Sequence, residues 1–270
     1  MLKNYFRIGM RNLWKNKGFS AINIAGLSVG IATCLLITLY VVDELNYDHY
    51  NEKADRIYRV DGDISFGGNH FILAVGPAPM AKALKTEFPQ VEEVTRMRGY
   101  GGFRAKKGEQ NIREDRAIYA DASLFNVFTL PMIHGNPATA LQEPASIVLT
   151  EAMATKYFNT TDVVGRQMVL DDTVYKKITG VIKNVPRQSH FDFDFFLSFS
   201  GTGESTQNVW TSNNFSTFLV LKPGTDIKQL EAKMDAFTVL HVAPELKSLN
   251  LTMESFKKAG NQGSGGKCLE

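Results

Sequence analysis

The residues best suited to metal or proton chemistry are five histidines, His49, His70, His134, His190 and His241. No HExxH or other paired-ligand spacing joins any two of them. The densest grouping of reactive types is His190-Phe191-Asp192-Phe193-Asp194-Phe195. On a strand, His190, Asp192 and Asp194 would share one face and the phenylalanines the other. That face could hold a cation, but the same alternation is the ordinary pattern of a half-buried strand, and this is the expected role. GNQGSGGK, Gly260 to Lys267, imitates a phosphate-binding loop and fails it. Five residues instead of four separate Gly260 from Gly266, and Cys268 stands where the hydroxyl is needed. No GxSxG, CxxC or SxxK occurs, so no nucleophile has a recognisable setting. Asn159, Asn214 and Asn250 open glycosylation-type triplets, which are common by chance. No catalytic residue, no cofactor and no metal site is expected, and no substrate-binding residue can be named.

The distribution of charge says more. Residues 1–18 carry Lys3, Arg7, Arg11, Lys15 and Lys17 and no acid, and Phe19 to Val42 carries no charge at all. The remaining residues hold 25 basic and 28 acidic side chains. A mildly acidic body is not the profile of a nucleic-acid binder. The uncharged block would reach about 36 Å as a helix, against a hydrocarbon core of about 30 Å. The apolar region of a cleaved signal would be shorter, with a small-residue cleavage site behind it. A single retained span over 19–42 is therefore expected, with residues 1–18 cytoplasmic and residues 43–259 outside.

Within residues 1–18, Lys3, Arg7, Arg11 and Lys15 recur every fourth position and share a helix face. Leu2, Phe6, Met10, Leu13 and Trp14 form a neighbouring apolar stripe. This predicts a basic amphipathic helix in the headgroup layer, ended by Gly18, with membrane lipid as its partner. Inside the span, Gly26 and Gly30 form a GxxxG that would let another helix approach closely. Cys34 in the bilayer and Cys268 near the far end of the chain are not expected to pair.

Beyond the span the pattern alternates between strands and helices. Asp43 to Arg56 is expected to prolong the membrane helix, followed by a strand from Ile57 to Ile64. Pro77 and Pro79 open a helix over Met80 to Glu87, stopped by Pro89. Ala145 to Leu149 reads as a strand, Thr150 to Phe158 as a helix, and Asp171-Asp172 as a hairpin turn before Tyr175 to Val185. Phe215 to Leu221 is a strong strand. Asp226 is expected to cap a helix running to about Leu240, and Leu249 to Met253 a final strand. Residues 260–270 are glycine-rich and are expected to be a flexible tail. The fold class is α+β, in two subdomains, the first discontinuous and built from both ends. The stretch from about residue 55 to 255 should fold without the membrane helix.

Four ordered blocks then carry a family resemblance. They are MLKNYFRIGMRNLWKNKGFSAINIAGLSVGIATCLLITLYVVDELNYDHYNEKADRIYRV, SIVLTEAMATKYF with VVGRQMVL, ITGVIKNVPRQSHFDFDFFLS, and TFLVLKPGTDIKQLEAKM. Together they resemble the MacB/FtsX-like ABC transporter permeases over nearly the whole chain up to about residue 258. The resemblance implies a porter-like part of βαβ units with an inserted strand-rich part. It implies a permease in the bacterial inner membrane, paired with a second copy and served by a separate cytoplasmic ATPase, with a periplasmic adaptor as a further partner. Members of the family continue into further membrane helices, so the sequence is expected to be an N-terminal fragment or a truncated product. Small-molecule efflux, lipoprotein release and FtsX-like control of cell-wall hydrolases are all compatible with the resemblance. A single-span sensor would need an output module inside, where only about 18 residues are expected. A membrane-anchored enzyme would need a catalytic constellation.

Overall fold

An apolar stretch without charges or prolines has every reason to close its backbone hydrogen bonds within one helix, because lipid offers no others. The computed structural model of the chain describes residues 2–45, 48–66, 69–248 and 261–267. It divides into two compact units, Met1–Tyr47 and Asp48–Glu270.

The first unit is two helices, α1 (Leu2–Lys15) and α2 (Lys17–Leu45). Only Asn16 interrupts them, and its amide still donates to the Asn12 carbonyl at 3.1 Å. The arm thus ends at Lys15 and not at Gly18, which lies in the first turn of α2. A terminating glycine adopts positive φ, and Gly18 does not. Helix α2, 29 residues long, extends about 43 Å. Among the described residues it is the one helix long and apolar enough to cross a membrane. Thr33 and Thr38 return their hydroxyls to the carbonyls of Val29 and Cys34, at 2.9 and 2.8 Å, so neither polar group is left over. The predicted helical extension reaches Leu45 within α2, but it does not run on to Arg56. Asp48 has a φ of 58°, which breaks any continuing right-handed helix, and only a single 3₁₀ turn, Ala54–Arg56, comes after it before the first strand.

The second unit runs β1 (Ile57–Phe66), β2 (Asn69–Leu73), β3 (Gly76–Pro77), α3 (Met80–Glu87) and β4 (Val91–Gly99). It continues with β5 (Phe103–Lys107), β6 (Gln110–Glu114), β7 (Ala117–Ala120), α4 (Leu124–Val127), β8 (Met132–Gly135) and β9 (Ser146–Thr150). Then come α5 (Glu151–Phe158), β10 (Gln167–Leu170), β11 (Val174–Ile182), β12 (Phe195–Ser198), β13 (Asn213–Leu221), α6 (Ile227–Ser248) and β14 (Asn261–Lys267). The strands join one sheet in the order β14-β1-β13-β4-β7-β12-β9-β11-β10-β5-β6, with β2, β3 and β8 beside β1, β13 and β11.

The two predicted parts share this sheet. Strands β1, β4 and β13 with α3 and α6 come from both ends of the unit. They enclose Val60, Leu84, Phe88, Val94, Leu219 and Phe237. The inserted part packs α5 on the strands that come after β4, around Phe103, Ile147, Leu149, Leu170, Ile178 and Phe195. A third cluster, with Phe128, Phe191, Phe196 and Phe218, includes residues of both parts. Local chemistry sets several boundaries. The Thr150 hydroxyl accepts from the Met153 amide and caps α5, and Asn159 closes that helix in a left-handed conformation. The Asp226 carboxylate accepts from the Lys228 amide at 3.0 Å at the start of α6. Asp171 and Asp172 both take positive φ, as the hairpin between β10 and β11 requires.

Other boundaries differ from the sequence expectation. Helix α6 continues past Leu240 to Ser248, because Val242 and Leu246 prolong its buried stripe even across Pro244. His190 to Asp194 is a loop; the strand starts at Phe195. Residues 261–267, expected to be flexible, lie antiparallel on β1, pairing Lys267 with Tyr58 through Asn261 with Ile64. A glycine-rich segment still has backbone donors and acceptors for an open strand edge. The strand expected over Leu249 to Met253 falls outside the described residues.

The first unit and Asp48–Glu270 being separately compact, residues 48–270 expressed alone should melt cooperatively. In that protein Phe195→Ala, at a side chain fully buried between Phe103 and Tyr157, should lose about 3–5 kcal/mol in urea titration. A loss below about 1 kcal/mol would show that the inserted part does not unfold with the sheet.

Candidate functional site

The residues singled out in the first unit stand on open surfaces. Arg7, Arg11 and Lys15 are exposed along α1, and Lys3 lies on the same helix. Phe6 and Trp14 are 74% and 77% exposed, and Met10 and Leu13 are also uncovered. A methyl group placed on Gly26 or Gly30 would meet no heavy atom within 4 Å. The structure therefore sets the basic stripe beside an apolar one, and leaves the glycine face clear.

The second unit holds a site that motif reasoning did not find, in its first residues. Asp48 is 1% exposed. Its amide donates to the Gln188 carbonyl at 2.9 Å, and one carboxylate oxygen accepts from the His190 amide at 3.0 Å. The other oxygen pairs with His190 Nδ1. The Tyr50 hydroxyl meets Ser189 Oγ at 2.9 Å, and burial pushes that phenol's pKa up. Asn51, also buried, donates to the Asp48 carbonyl at 3.1 Å and accepts from the Thr129 amide at 2.9 Å. The Glu52 amide returns a bond to the Thr129 hydroxyl, at 2.9 Å. Lys53 and Arg56 both bind Glu92, at 3.0 and 2.5 Å; Arg56 first, then Lys53, holds its carboxyl below the usual range.

The segment from Asp48 to Arg56 is thus clipped to three places: the 188–191 loop, Thr129 and β4. Edge-to-face contacts of Phe128 with Phe191 at 4.3 Å and with Phe218 at 5.2 Å brace the receiving loops. Ser189, His190 and Asp48 do not make a nucleophilic triad, since Ser189 Oγ engages Tyr50 and the Phe191 amide. The other acids of the histidine grouping turn elsewhere. Arg116 binds Asp192 at 2.6 Å and Asp194 at 3.2 Å, while Thr150 donates to Asp194 at 3.1 Å. Burial raises the Asp194 pKa, and Arg116 opposes it. His190, Asp192 and Asp194 therefore do not converge on one point.

A second fastening holds α6. Glu245 accepts from the Trp210 amide at 2.5 Å and from Thr211 Oγ1. The Trp210 indole stacks on His241, with centroids 4.2 Å apart and planes 13° from parallel, and His241 Nε2 meets Glu87 at 2.7 Å. No motif announced either fastening. The signal available was weak: an acid, Asp48, just beyond an apolar run, and a tryptophan ahead of an apolar-periodic helix.

Removing the Asp48 carboxylate should show what the clip holds. Asp48→Ala removes the carboxylate that takes the His190 amide and ring, and should cost about 3 kcal/mol of stability. Asp48→Asn keeps acceptor and shape and should lose less. Asp235→Ala, on an exposed turn of α6, should stay within about 0.5 kcal/mol. Equal effects of Asp48→Ala and Asp235→Ala in urea titrations would show that the clip holds nothing.

Comparison with known proteins agrees with this architecture. The family model described as MacB-like periplasmic core domain matches residues 20–237. A domain of a putative permease protein from Porphyromonas gingivalis superposes with a TM-score of 0.64 at 21% identity, covering 80% of this chain and 90% of that one. The periplasmic region of MacB from Actinobacillus actinomycetemcomitans gives a TM-score of 0.50 at 13% identity, over 70% of this chain and 85% of that one. At such identities the likeness is one of fold. No curated protein matches the chain. The family model starts inside α2, crosses the sheet from β1 to β13 and ends inside α6, and the chain accordingly belongs to the family of the MacB-like periplasmic core domain, a family of ABC-transporter permease components.

Proposed function

We propose that this protein is the permease component of an ATP-driven transporter. Its outer sheet domain would transmit motion and move a substrate or a partner outside the inner membrane. The observation that carries this is the span of the family match, from within the membrane-long helix α2 through the sheet domain. ATP hydrolysis belongs to a separate cytoplasmic subunit, and a second permease copy packs alongside, with the Gly26–Gly30 face of α2 as its approach. Residues 1–18 are cytoplasmic and the sheet domain is periplasmic, supported by five basic residues before Phe19 and none from there to Val42. The clip at Asp48 supports a mechanical role. It fixes the first residues of the sheet domain onto three of its parts, so that Asp48 to Arg56 move with the sheet as one piece. A reporter active only in the periplasm, fused after residue 120, should be active, and a cytoplasmic reporter at the same point silent. The reverse pattern would overturn the orientation and the function with it.

Helix α1 is the lipid-facing part of this proposal. Arg7, Arg11 and Lys15 with Lys3 meet anionic headgroups while Phe6, Met10 and Trp14 reach the acyl boundary. Each basic residue near such a surface contributes about 1 kcal/mol, so four give about 4 kcal/mol at low salt. Trp14 reports on it once Trp210 is changed to Phe. Its emission should shift to the blue in anionic vesicles and be shielded from an aqueous quencher. Full quenching that ignores lipid charge would mean an arm free in water.

A further inference from the structure

The far end of the sheet carries a charge opposite to that of the rest of the domain. Residues 104–113 and 166–177 hold seven basic and three acidic side chains. The remainder of residues 43–270 holds 18 basic and 25 acidic. Those two segments are the adjacent hairpins β5–β6 and β10–β11, joined where Leu170 stands opposite Ala105.

The register sorts their side chains. Leu170 and Ala105 are fully buried against the α5 side. Their neighbours along each strand, Val169, Arg104 and Lys106, therefore point to the opposite face. Arg113 stands directly across from Arg104, Tyr175 across from Val169, and Lys177 across from Gln167. All of Arg104, Lys106, Arg113 and Lys177 are exposed, and Tyr175 is 61% exposed. Arg113 is engaged by Asp115 at 2.8 Å. Among the described residues, no hydrogen bond or ion pair occupies the side chains of Arg104, Lys106 or Lys177. Like charges directly opposite each other in a sheet are unfavourable, and here Asp115 relieves Arg113 while the Arg104 guanidinium carries no such ion pair.

We propose that this open face of the two hairpins docks an acidic segment of a protein partner. Arg104, Lys106 and Lys177 would pair with its carboxylates, and Tyr175 with Val169 would supply the apolar anchor. Tyrosine and arginine together are the composition of energetically dominant interface residues, and complementary charge guides encounter and register. Asp171, Asp172 and Glu109 at the hairpin tips bracket the basic rows. That broken pattern suits discrete carboxylates on a protein better than a continuous anionic lipid surface. The acidic remainder of the domain would turn such a partner away from other faces.

The test uses the full chain in neutral-lipid nanodiscs and a fluorescein-labelled decapeptide of alternating glutamate and threonine, read by anisotropy at low salt. Tyr175→Ala and the pair Arg104→Glu with Lys106→Glu should each weaken binding about tenfold or more. All three side chains are exposed, so the fold should persist, which circular dichroism checks. Charge reversal at Lys228 and Lys233, exposed on α6, should change binding less than about twofold. Equal loss from the α6 reversal would reduce the effect to net charge and overturn the proposal, as would an unaffected Tyr175→Ala. Anionic vesicles that displace the peptide at equal charge would assign the face to lipid instead. None of these readings depends on an ATPase, so they stand apart from the transport proposal.

Discussion

Asp48 is where a chain built for lipid becomes a chain built for water. On one side of it in the sequence, α2 satisfies its backbone groups within itself and buries no side chain in protein. On the other, β1 depends on partners far along the chain, with β13 over Ile57–Val60, and on β2 beyond Gly62. Neither regime can hold the few residues between them. The buried Asp48 carboxylate does so by taking the His190 amide and ring, 142 positions away, while Asn51 takes Thr129. A buried acid is tolerated only when such partners replace its water.

The porter-like part depends on that fastening and on its counterpart at Glu245. It is assembled from the two ends of the domain sequence, with the strand-rich part inserted between β4 and β13. An arrangement of this kind keeps both ends of the domain on one core, where α3 and α6 cover Val60, Val94 and Leu219. The aromatic seam of Phe128, Phe191, Phe196 and Phe218 then joins this part to the insertion.

The elements with strong local signals were legible from residues alone. Met80–Glu87 and Thr150–Phe158 have their prolines and caps in place, and the span declares itself by lacking charge. The loss of helix from Asp48 onward was not legible, because Asp48 to Arg56 contains no glycine or proline that would forbid a helix. A distant partner, the 188–191 loop, overrides local propensity. The same holds for His190 to Asp194. Its alternation is real, with Phe191 buried and Asp192 exposed, yet strand pairing begins only at Phe195. Long-range side-chain bonds leave no periodicity, so both fastenings, at Asp48 and at Glu245, were invisible in the sequence. Family resemblance supplied the architecture, but not these contacts.

The two fastenings differ in chemistry, and the difference bears on how a membrane-driven domain would move. At Asp48 the bonds are made by a buried carboxylate and a buried amide to two separate places, the 188–191 loop and Thr129, so no single rotation releases them. At Glu245 the carboxylate is partly exposed and its partners, Trp210 and Thr211, are neighbours on one loop. Charge-assisted bonds kept from water hold more firmly than those water can replace. The first fastening is therefore the stiffer. A strand such as β1, paired on both sides, cannot be drawn out without breaking both ladders together. Under the proposed transport role, a pull on Asp48 would therefore load both ladders of β1 at once, while the fastening at Glu245 would be the easier of the two to release.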